Sequence, residues 1–314
     1  MIWALLALAG GLAVLIIASD RLVISAVRLS RAWGVSAILI GAVIVGFGTS
    51  VPELLVSVLA SADGRVDVAL ANVIGSNIAN VTLVLGGAAL VIPVVARRMT
   101  LKREGALMLA AVTLLAVLLW DLRVERWEGV VLLVGMALAL FLLVRWSMSD
   151  VEAISEAQSE VEEMAGAGTV TIRLEVGIGI AALVATVLAA RVLLEGALFI
   201  GESLGLSDLF LGVMLGVGTS LPELATALAA TRRAETDLVV GNVLGSNLFN
   251  SLGVAGFAIV VGPGSLQSID RSILVVMVGA ALVAGFFAIT GRRIVRWEGA
   301  VLVMAFVLMA ALSV

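Results

Sequence analysis

Long apolar stretches separated by short polar segments run through almost the whole chain. A helix needs about 20 mainly apolar residues to cross the hydrocarbon core of a bilayer, and the strict alternation that marks a membrane β-barrel is absent. The pattern therefore predicts an all-α integral membrane protein. Its candidate spans lie at roughly 2–27, 35–61, 67–95, 104–120, 128–145, 174–201, 207–231, 237–261, 272–290 and 297–314.

The polar segment between the fifth and sixth spans differs from the other connections. It contains the acidic residues Asp150, Glu152, Glu156, Glu160, Glu162 and Glu163. A solvated acidic linker is the expected role; a cytosolic cation sensor is the alternative, although no ion-binding loop spacing is present. The predicted organisation is a five-helix repeat at 1–146, an acidic cytoplasmic linker at 147–173 and a second five-helix repeat at 174–314.

The two halves carry the same pair of motifs. Residues 46–86 contain GTSVPE and GSNIAN, residues 216–256 contain GTSLPE and GSNLFN, and equivalent positions are 170 residues apart. Five spans separate equivalent points, and because five is odd, the second copy crosses the membrane in the opposite direction. The sequence therefore predicts ten transmembrane helices in two inverted-topology five-helix repeats, whose interface usually holds the substrate near the midplane.

Basic residues predict the orientation of these spans. Of the 19 Lys and Arg residues, 14 fall in segments on one side of the predicted membrane and four on the other. Cytoplasmic segments carry the excess of Lys and Arg. We therefore expect a multi-pass protein of the plasma (cytoplasmic) membrane with both termini outside.

Composition narrows the possible chemistry. Only 13% of the residues are charged, against about 25% in soluble domains. The absence of Cys and His excludes disulfides, thiol chemistry and imidazole metal sites, so any bound metal must be held by oxygen and most relay catalysis is removed. We expect a protein that is not an enzyme. The net charge of -4 gives no case for nucleic-acid binding. No cofactor or obligatory protein partner is evident, and the expected partners are the bilayer and transported ions.

Two prolines interrupt apolar spans, each directly before a glutamate. Pro52 and Pro222 lack an N–H, and a proline ring clashes with the carbonyl four residues earlier. We therefore expect the helices to break near Gly48 and Gly218. Unwound backbone at membrane depth is tolerated only where it is buried in protein or lines a cavity, so these breaks indicate an ion-coordinating site.

Glu53 and Glu223 are the strongest candidates for that site. A carboxylate at membrane depth costs on the order of 2.5 kcal/mol or more, and the matching apolar segments contain no Lys or Arg to pair with it. Two carboxylates balance one divalent cation. Neighbouring hydroxyl groups add further oxygens at Thr49, Ser50, Thr219 and Ser220.

The span after each GTSxPE motif adds a polar face. Its residues are spaced by four and so share one side of a helix; they are Asn72, Ser76 and Asn80, and their counterparts Asn242, Ser246 and Asn250. Oxygen ligands of this kind suit calcium or sodium. Packing and hydrogen bonding between helices is the alternative role, and it stays open above all for Asn72, Asn77, Asn242 and Asn247.

With its two motif pairs and ten predicted spans, the sequence resembles the cation/calcium antiporter superfamily, most closely the prokaryotic sodium/calcium exchangers. The resemblance covers nearly the whole chain. It implies a secondary active antiporter that exchanges calcium for several sodium ions, electrogenically, by alternating access. It also implies metal ligands at Glu53, Glu223, Thr49, Thr219, Ser50, Ser220, Ser76 and Ser246 and at the carbonyls of Gly46 and Gly216, with Asn80 and Asn250 at the central positions.

One departure from the superfamily pattern bears on the driving ion. Some relatives, including potassium-dependent exchangers, have aspartate at the position of Asn250, whereas Asn80 and Asn250 are both neutral here. This argues against potassium dependence. A proton-coupled calcium exchanger that uses the same residues is the main alternative. A channel or a non-transporting receptor is less expected, because a buried carboxylate pair in an inverted repeat suits occlusion better than flow.

Overall fold

The computed structural model describes residues 2–149, 171–204, 218–267 and 269–312. Within these ranges six helices are long and apolar enough to cross a membrane, and one pair of helices bent by 44° makes a seventh candidate. Most of the predicted linker, the start of the predicted span 207–231 and the predicted ligand Gly216 lie outside the described residues. The count of ten spans therefore stays a prediction.

Helices follow the predicted spans in both halves. The first half forms α1 (Ile2–Trp33), α2 (Ala37–Thr49), α3 (Val51–Ala62), α4 (Val66–Val91), α5 (98–118) and α6 (Arg126–Ser149). The second half forms α7 (Ile172–Ser203), α8 (Leu221–Arg232), α9 (Thr236–Val261), α10 (Arg271–Gly291) and α11 (Arg296–Leu312). Adding 170 to the bounds of α1, α3 and α4 gives the bounds of α7, α8 and α9.

Several of these helices contain a turn of π-helix, which the sequence pattern did not predict. The π-helical turns are Gly41–Gly46 in α2, Asn80–Val84 in α4, Leu101–Gly105 in α5 and Phe249–Val254 in α9. Such turns are often found at functional sites. Two of them, in α4 and α9, contain the predicted central residues Asn80 and Asn250.

Four short strands were also not predicted. The first continues the preceding apolar span in sequence, and the other three are two-residue segments within the connections between spans. The four strands are β1 (Val94–Val95), β2 (Arg123–Val124), β3 (Gly264–Ser265) and β4 (Arg293–Ile294). Strand β1 pairs antiparallel with β4, and β2 pairs antiparallel with β3. Each ladder therefore joins the first half to the second, and the 170-residue offset converts one ladder into the other.

Glycines bring the helices of the two halves into backbone contact. A Cβ added to Gly245 of α9 would lie 2.2 Å from the carbonyl oxygen of Ala42 in α2, and one added to Gly46 would lie 2.8 Å from the nitrogen of Ser246. Small residues permit this close approach in membrane helices, where packing rather than the hydrophobic effect drives association. The contact fixes α2, which leads into the GTSVPE motif, directly against α9.

We predict that Gly245→Ala destabilises the protein by about 1–3 kcal/mol, because the added methyl group forces α9 away from α2. Thermal unfolding of the detergent-purified protein, followed by tryptophan fluorescence, measures the effect. Gly279→Ala in α10 is the control, since a Cβ there meets no described atom within 4 Å. Equal unfolding temperatures for the two variants would show that the α2–α9 contact is not tight.

Candidate cation site

The GTSxPE motifs form helix breaks, as the prolines predict. Ser50 leaves the helical conformation with φ of -87° and ψ of 10°, between α2 and α3, and Ser220 does the same with φ of -90° and ψ of 7° before α8. The breaks lie two residues after the expected positions at Gly48 and Gly218. The prolines occupy the first turns of α3 and α8, where a missing N–H is tolerated.

Glu53 and Glu223 lie in the first turns of these same helices. A helix N-terminus carries partial positive charge and favours an acidic side chain there. Glu53 is 0% exposed and Glu223 is 1% exposed. Ser50 Oγ donates a hydrogen bond of 2.9 Å to Glu223 Oε1, and the two carboxylates are close enough to interact electrostatically. The helix breaks of the two halves therefore meet at one place.

Buried polar atoms without partners occur on both carboxylates and on other residues predicted as ligands. Within the described residues no hydrogen bond reaches either carboxylate oxygen of Glu53, Oε2 of Glu223, Oγ of Ser220 or Oδ1 of Asn80, and the side-chain amide of Asn250 also has no partner. Burying polar groups without hydrogen bonds is unfavourable, and more so for ionised carboxylates. A cation bound among these oxygens would satisfy them together.

The other predicted ligands lie on the elements beside this pair. Ser246 Oγ of α9 donates to the Gly46 carbonyl at 3.1 Å, and Thr49 Oγ1 donates to the Val45 carbonyl at 2.9 Å. Ser76 is buried in α4 one turn before Asn80, and Thr219 is half-buried directly before the break at Ser220. The Gly46 carbonyl already accepts hydrogen bonds, so it would have to share its lone pairs with an ion.

Hydrogen bonds from asparagine side chains connect α4 and α9. Asn80 Nδ2 donates to Asn247 Oδ1 at 3.2 Å, and Asn77 Nδ2 donates to Ser251 Oγ at 3.0 Å. Sequence reasoning left Asn247 open between site and packing and missed Ser251. The recurrence of Asn77 and Asn247 at the 170-residue offset was the available signal. The geometry makes Asn247 a positioning residue for Asn80.

Asn72 and Asn242 hold the broken helices in place. Asn72 Nδ2 donates to Ser57 Oγ in α3 at 3.1 Å, and Asn242 Nδ2 donates to the carbonyl of Glu223 at 3.2 Å. Both bonds tie a broken helix to the helix that follows it. For these two residues the contacts support the packing alternative, and Ser57 had no sequence signal because its partner is set by tertiary structure.

Two helix breaks with buried carboxylates that lack an ion-pair partner among the described residues, set in a bundle of long apolar helices, are the features expected of a membrane transporter of cations. Comparison with known proteins assigns the family: a model described as "Sodium/calcium exchanger protein" matches residues 3–145 and 174–314, so the chain belongs to the sodium/calcium exchanger family. Members of this family are transporters and not enzymes, and the chain is accordingly a multi-pass membrane protein of cation exchange.

Individual relatives agree over nearly the full length. The putative antiporter CaxA of Alkalimonas amylolytica is 37% identical over 95% of this chain and 94% of its own. The sodium/calcium exchanger MaX1 of Methanosarcina acetivorans is 32% identical over 95% of this chain and 94% of its own. A structure of the sodium-calcium exchanger NCX_Mj soaked with Na⁺ and Sr²⁺ superimposes with a TM-score of 0.86 at 28% identity, covering 99% of this chain and 98% of that one.

We predict that Glu53→Gln raises the thermal stability of the cation-free protein by about 1–3 kcal/mol, because it removes a buried carboxyl group that must either carry an unpaired charge or take up a proton. The measurement is thermal unfolding at pH 8 with chelator and without sodium. The control is Glu175→Gln in α7, whose carboxylate is also buried but lies 3.2 Å from Arg21 and 3.1 Å from Arg28.

The control variant should unfold at a lower temperature than the wild type, since it leaves two arginines without their carboxylate partner. An equal loss of stability in both variants would mean that Glu53 has a stabilising partner in the cation-free protein.

Proposed function

We propose that the chain is a secondary active antiporter that exchanges calcium for sodium ions across the membrane by alternating access. The observation that carries the proposal is the pair Glu53 and Glu223. Both are buried, neither has an ion-pair partner among the described residues, and Ser50, at the helix break before Glu53, donates a hydrogen bond to Glu223. Carboxylate, hydroxyl and amide oxygens form the hard-ion shell that calcium and sodium prefer.

The two loads leave different net charges at the site, and their competition for the same ligands couples the two fluxes. Calcium between two carboxylates leaves the site near neutral, whereas three sodium ions at overlapping positions would leave about +1. The two loads compete for Glu53 and Glu223, with Thr49, Thr219, Ser50, Ser220, Ser76 and Ser246 and the carbonyls of Gly46 and Gly216 as the proposed flanking ligands. Asn80 and Asn250 occupy the centre and add no charge, which favours sodium over potassium as the driving ion.

The proposed architecture is ten transmembrane helices in two inverted five-helix repeats, at 1–146 and 174–314, joined by an acidic cytoplasmic linker at 147–173. It is supported by the helix bounds that recur after 170 residues and by the two equivalent ladders. We place the chain in the plasma membrane with both termini outside, as the distribution of basic residues favours. Inverted repeats of this kind expose a central site alternately to the two sides.

The names of two relatives support the choice of ions. MaX1 and NCX_Mj are both described as exchangers of sodium and calcium. Buried carboxylates can also take up protons, so the test must separate a proton gradient from a sodium gradient.

We predict that Glu53→Gln and Glu223→Gln each reduce calcium uptake into proteoliposomes at least a hundredfold under an outward sodium gradient, because each removes half of the site's negative charge. Uptake of radioactive calcium measures the effect. The control is Glu195→Gln in α7, an exposed glutamate paired with Arg191 at 2.9 Å. Wild-type uptake by either site variant would refute the assignment.

We further predict that an outward sodium gradient alone drives calcium uptake, whereas a potassium or proton gradient alone does not. Exchange of three sodium ions for one calcium ion moves one net positive charge outward, so an inside-positive potential should accelerate uptake, by up to about 2.3 kcal/mol of driving force per 100 mV. Uptake driven by a pH gradient without sodium would establish the proton-coupled alternative. A rate of calcium uptake that does not change with the membrane potential would indicate electroneutral exchange.

A further inference from the structure

An apolar cavity lies between α4, α5, α9 and α10, and neither Glu53 nor Glu223 lines it. Its volume is about 400 Å³ and its lining is apolar, with Val81 and Leu244 at the inner end and Phe286 and Ile289 at the outer end. Phe286 is 62% exposed and Ile289 is 65% exposed. Because these α10 side chains face outward, the cavity opens towards the hydrocarbon of the bilayer.

The cavity continues as a shallow groove along the seam between α5 and α10. Two further apolar depressions share Thr113 and Val117, and one of them extends to Trp120 at the far end of α5. Together the cavity and the two depressions place a continuous series of apolar residues along α5 from Leu101 to Trp120, and α10 lines the cavity and the depression that reaches Trp120. A lipid acyl chain is suited to such a surface.

Such a cavity favours an apolar occupant. Water does not fill apolar cavities readily, and an empty cavity costs its lining atoms their dispersion contacts. Membrane lipid is the apolar material present at this surface.

Strands β1 and β4 close one end of the cavity and bring basic residues to it. Val94 and Ile294 are paired across the ladder and both line the cavity, while Arg293 is the exposed neighbour on β4. The carbonyl of Arg292 accepts a hydrogen bond of 3.1 Å from the backbone of Ala96, another lining residue.

Further basic side chains follow β1 in sequence. Arg98 and Lys102 are exposed and flank the lining residue Leu101. Arg97 is engaged with Asp237 at 3.2 Å. In the described part of the chain, no carboxylate pairs with Arg98, Lys102, Arg292 or Arg293. Four basic side chains therefore stand at the end of an acyl-sized cavity, at the border of the hydrocarbon.

We propose that this cavity binds one anionic phospholipid, with an acyl chain between α5 and α10 and the phosphate headgroup on Arg98, Lys102, Arg292 and Arg293. Basic pockets between transmembrane helices are suited to anionic headgroups. The arginine fork matches phosphate oxygens, and lysine adds a point charge.

The 170-residue offset supplies an internal comparison. The position equivalent to Gly285, which lines the cavity, is Leu115, a side chain that is fully buried in the first half. The positions equivalent to Arg292 and Lys102 are Leu122 and Ser272. Arg98 has the counterpart Ser268 and Arg293 has the counterpart Arg123, so three of the four basic residues lack a basic counterpart in the other half. These three occur together with the cavity at one end of the molecule, the end predicted to be cytoplasmic.

Lipid retention by the purified full-length chain tests the proposal. Native mass spectrometry with phosphatidylglycerol and phosphatidylcholine of identical acyl chains should show one retained phosphatidylglycerol, bound at least tenfold more tightly than phosphatidylcholine. Gly285→Leu copies the residue of the other half, and a Cβ at Gly285 meets no described atom within 4 Å. It should weaken phosphatidylglycerol binding at least tenfold by filling the cavity.

Two further variants are needed. One tests the headgroup contacts independently of the cavity, and the other controls for the effect of a Gly-to-Leu substitution on folding. Arg98→Gln combined with Lys102→Gln changes only exposed side chains and should also weaken phosphatidylglycerol binding at least tenfold. Gly177→Leu, at an exposed position in α7 where a Cβ meets no described atom within 4 Å, should leave binding unchanged.

Equal retention of the two lipids by the wild type would overturn the proposal, as would unchanged retention of phosphatidylglycerol by folded Gly285→Leu or by the double variant. Displacement of the lipid by millimolar inorganic phosphate would also overturn it, because the basic cluster would then be a site for free phosphate.

Discussion

Two carboxylates buried inside a membrane protein without a basic partner impose the main constraint on this structure. The negative charge of Glu53 and Glu223 must be compensated by a cation or proton from outside the chain. Burial removes water from both carboxylates, and the described residues supply a single hydroxyl hydrogen bond, from Ser50 to Glu223. Under the proposed function the transported cations meet this charge, so the stability of the site depends on its cargo. A protein whose interior needs a bound cation, yet must release it, is well matched to exchange, in which one load replaces another.

Satisfying this constraint requires both halves of the chain. Each half contributes one proline-broken helix and one glutamate, and the hydrogen bond from Ser50 to Glu223 crosses between them. Backbone contact between α2 and α9, through Gly46 and Gly245, sets the separation of the halves at the same level. Asn72 and Asn242 then fix each broken helix to its successor. Loosening any of these contacts would move a carboxylate relative to the other.

The parts of the fold and site that were predicted from sequence are those with local causes. Proline removes a backbone donor wherever it stands, so Pro52 and Pro222 predicted a helix break in each motif. The structure has these breaks at Ser50 and Ser220, two residues after the expected positions. The parts that could not be predicted depend on partners distant in sequence. Examples are the π-helical turn at Asn80, the partner of Asn247 and the strands, since Val94 and Val95 continue an apolar run and become a strand only when Ile294 and Arg293 lie beside them.

The two short ladders allow the amino-acid sequences of the two halves to differ. Backbone hydrogen bonds form between peptide groups and need no particular side chain, so Val94–Val95 and Gly264–Ser265, which share no residue, occupy equivalent places. The hydrogen bonds of the ladders therefore need no particular side chain, whereas the burial of Val94 and Ile294 still requires apolar residues at those two positions. The halves remain joined at both ends while the flanking positions are free to specialise, and a molecule with a nearly symmetric frame can present chemically distinct surfaces to the two faces of its membrane.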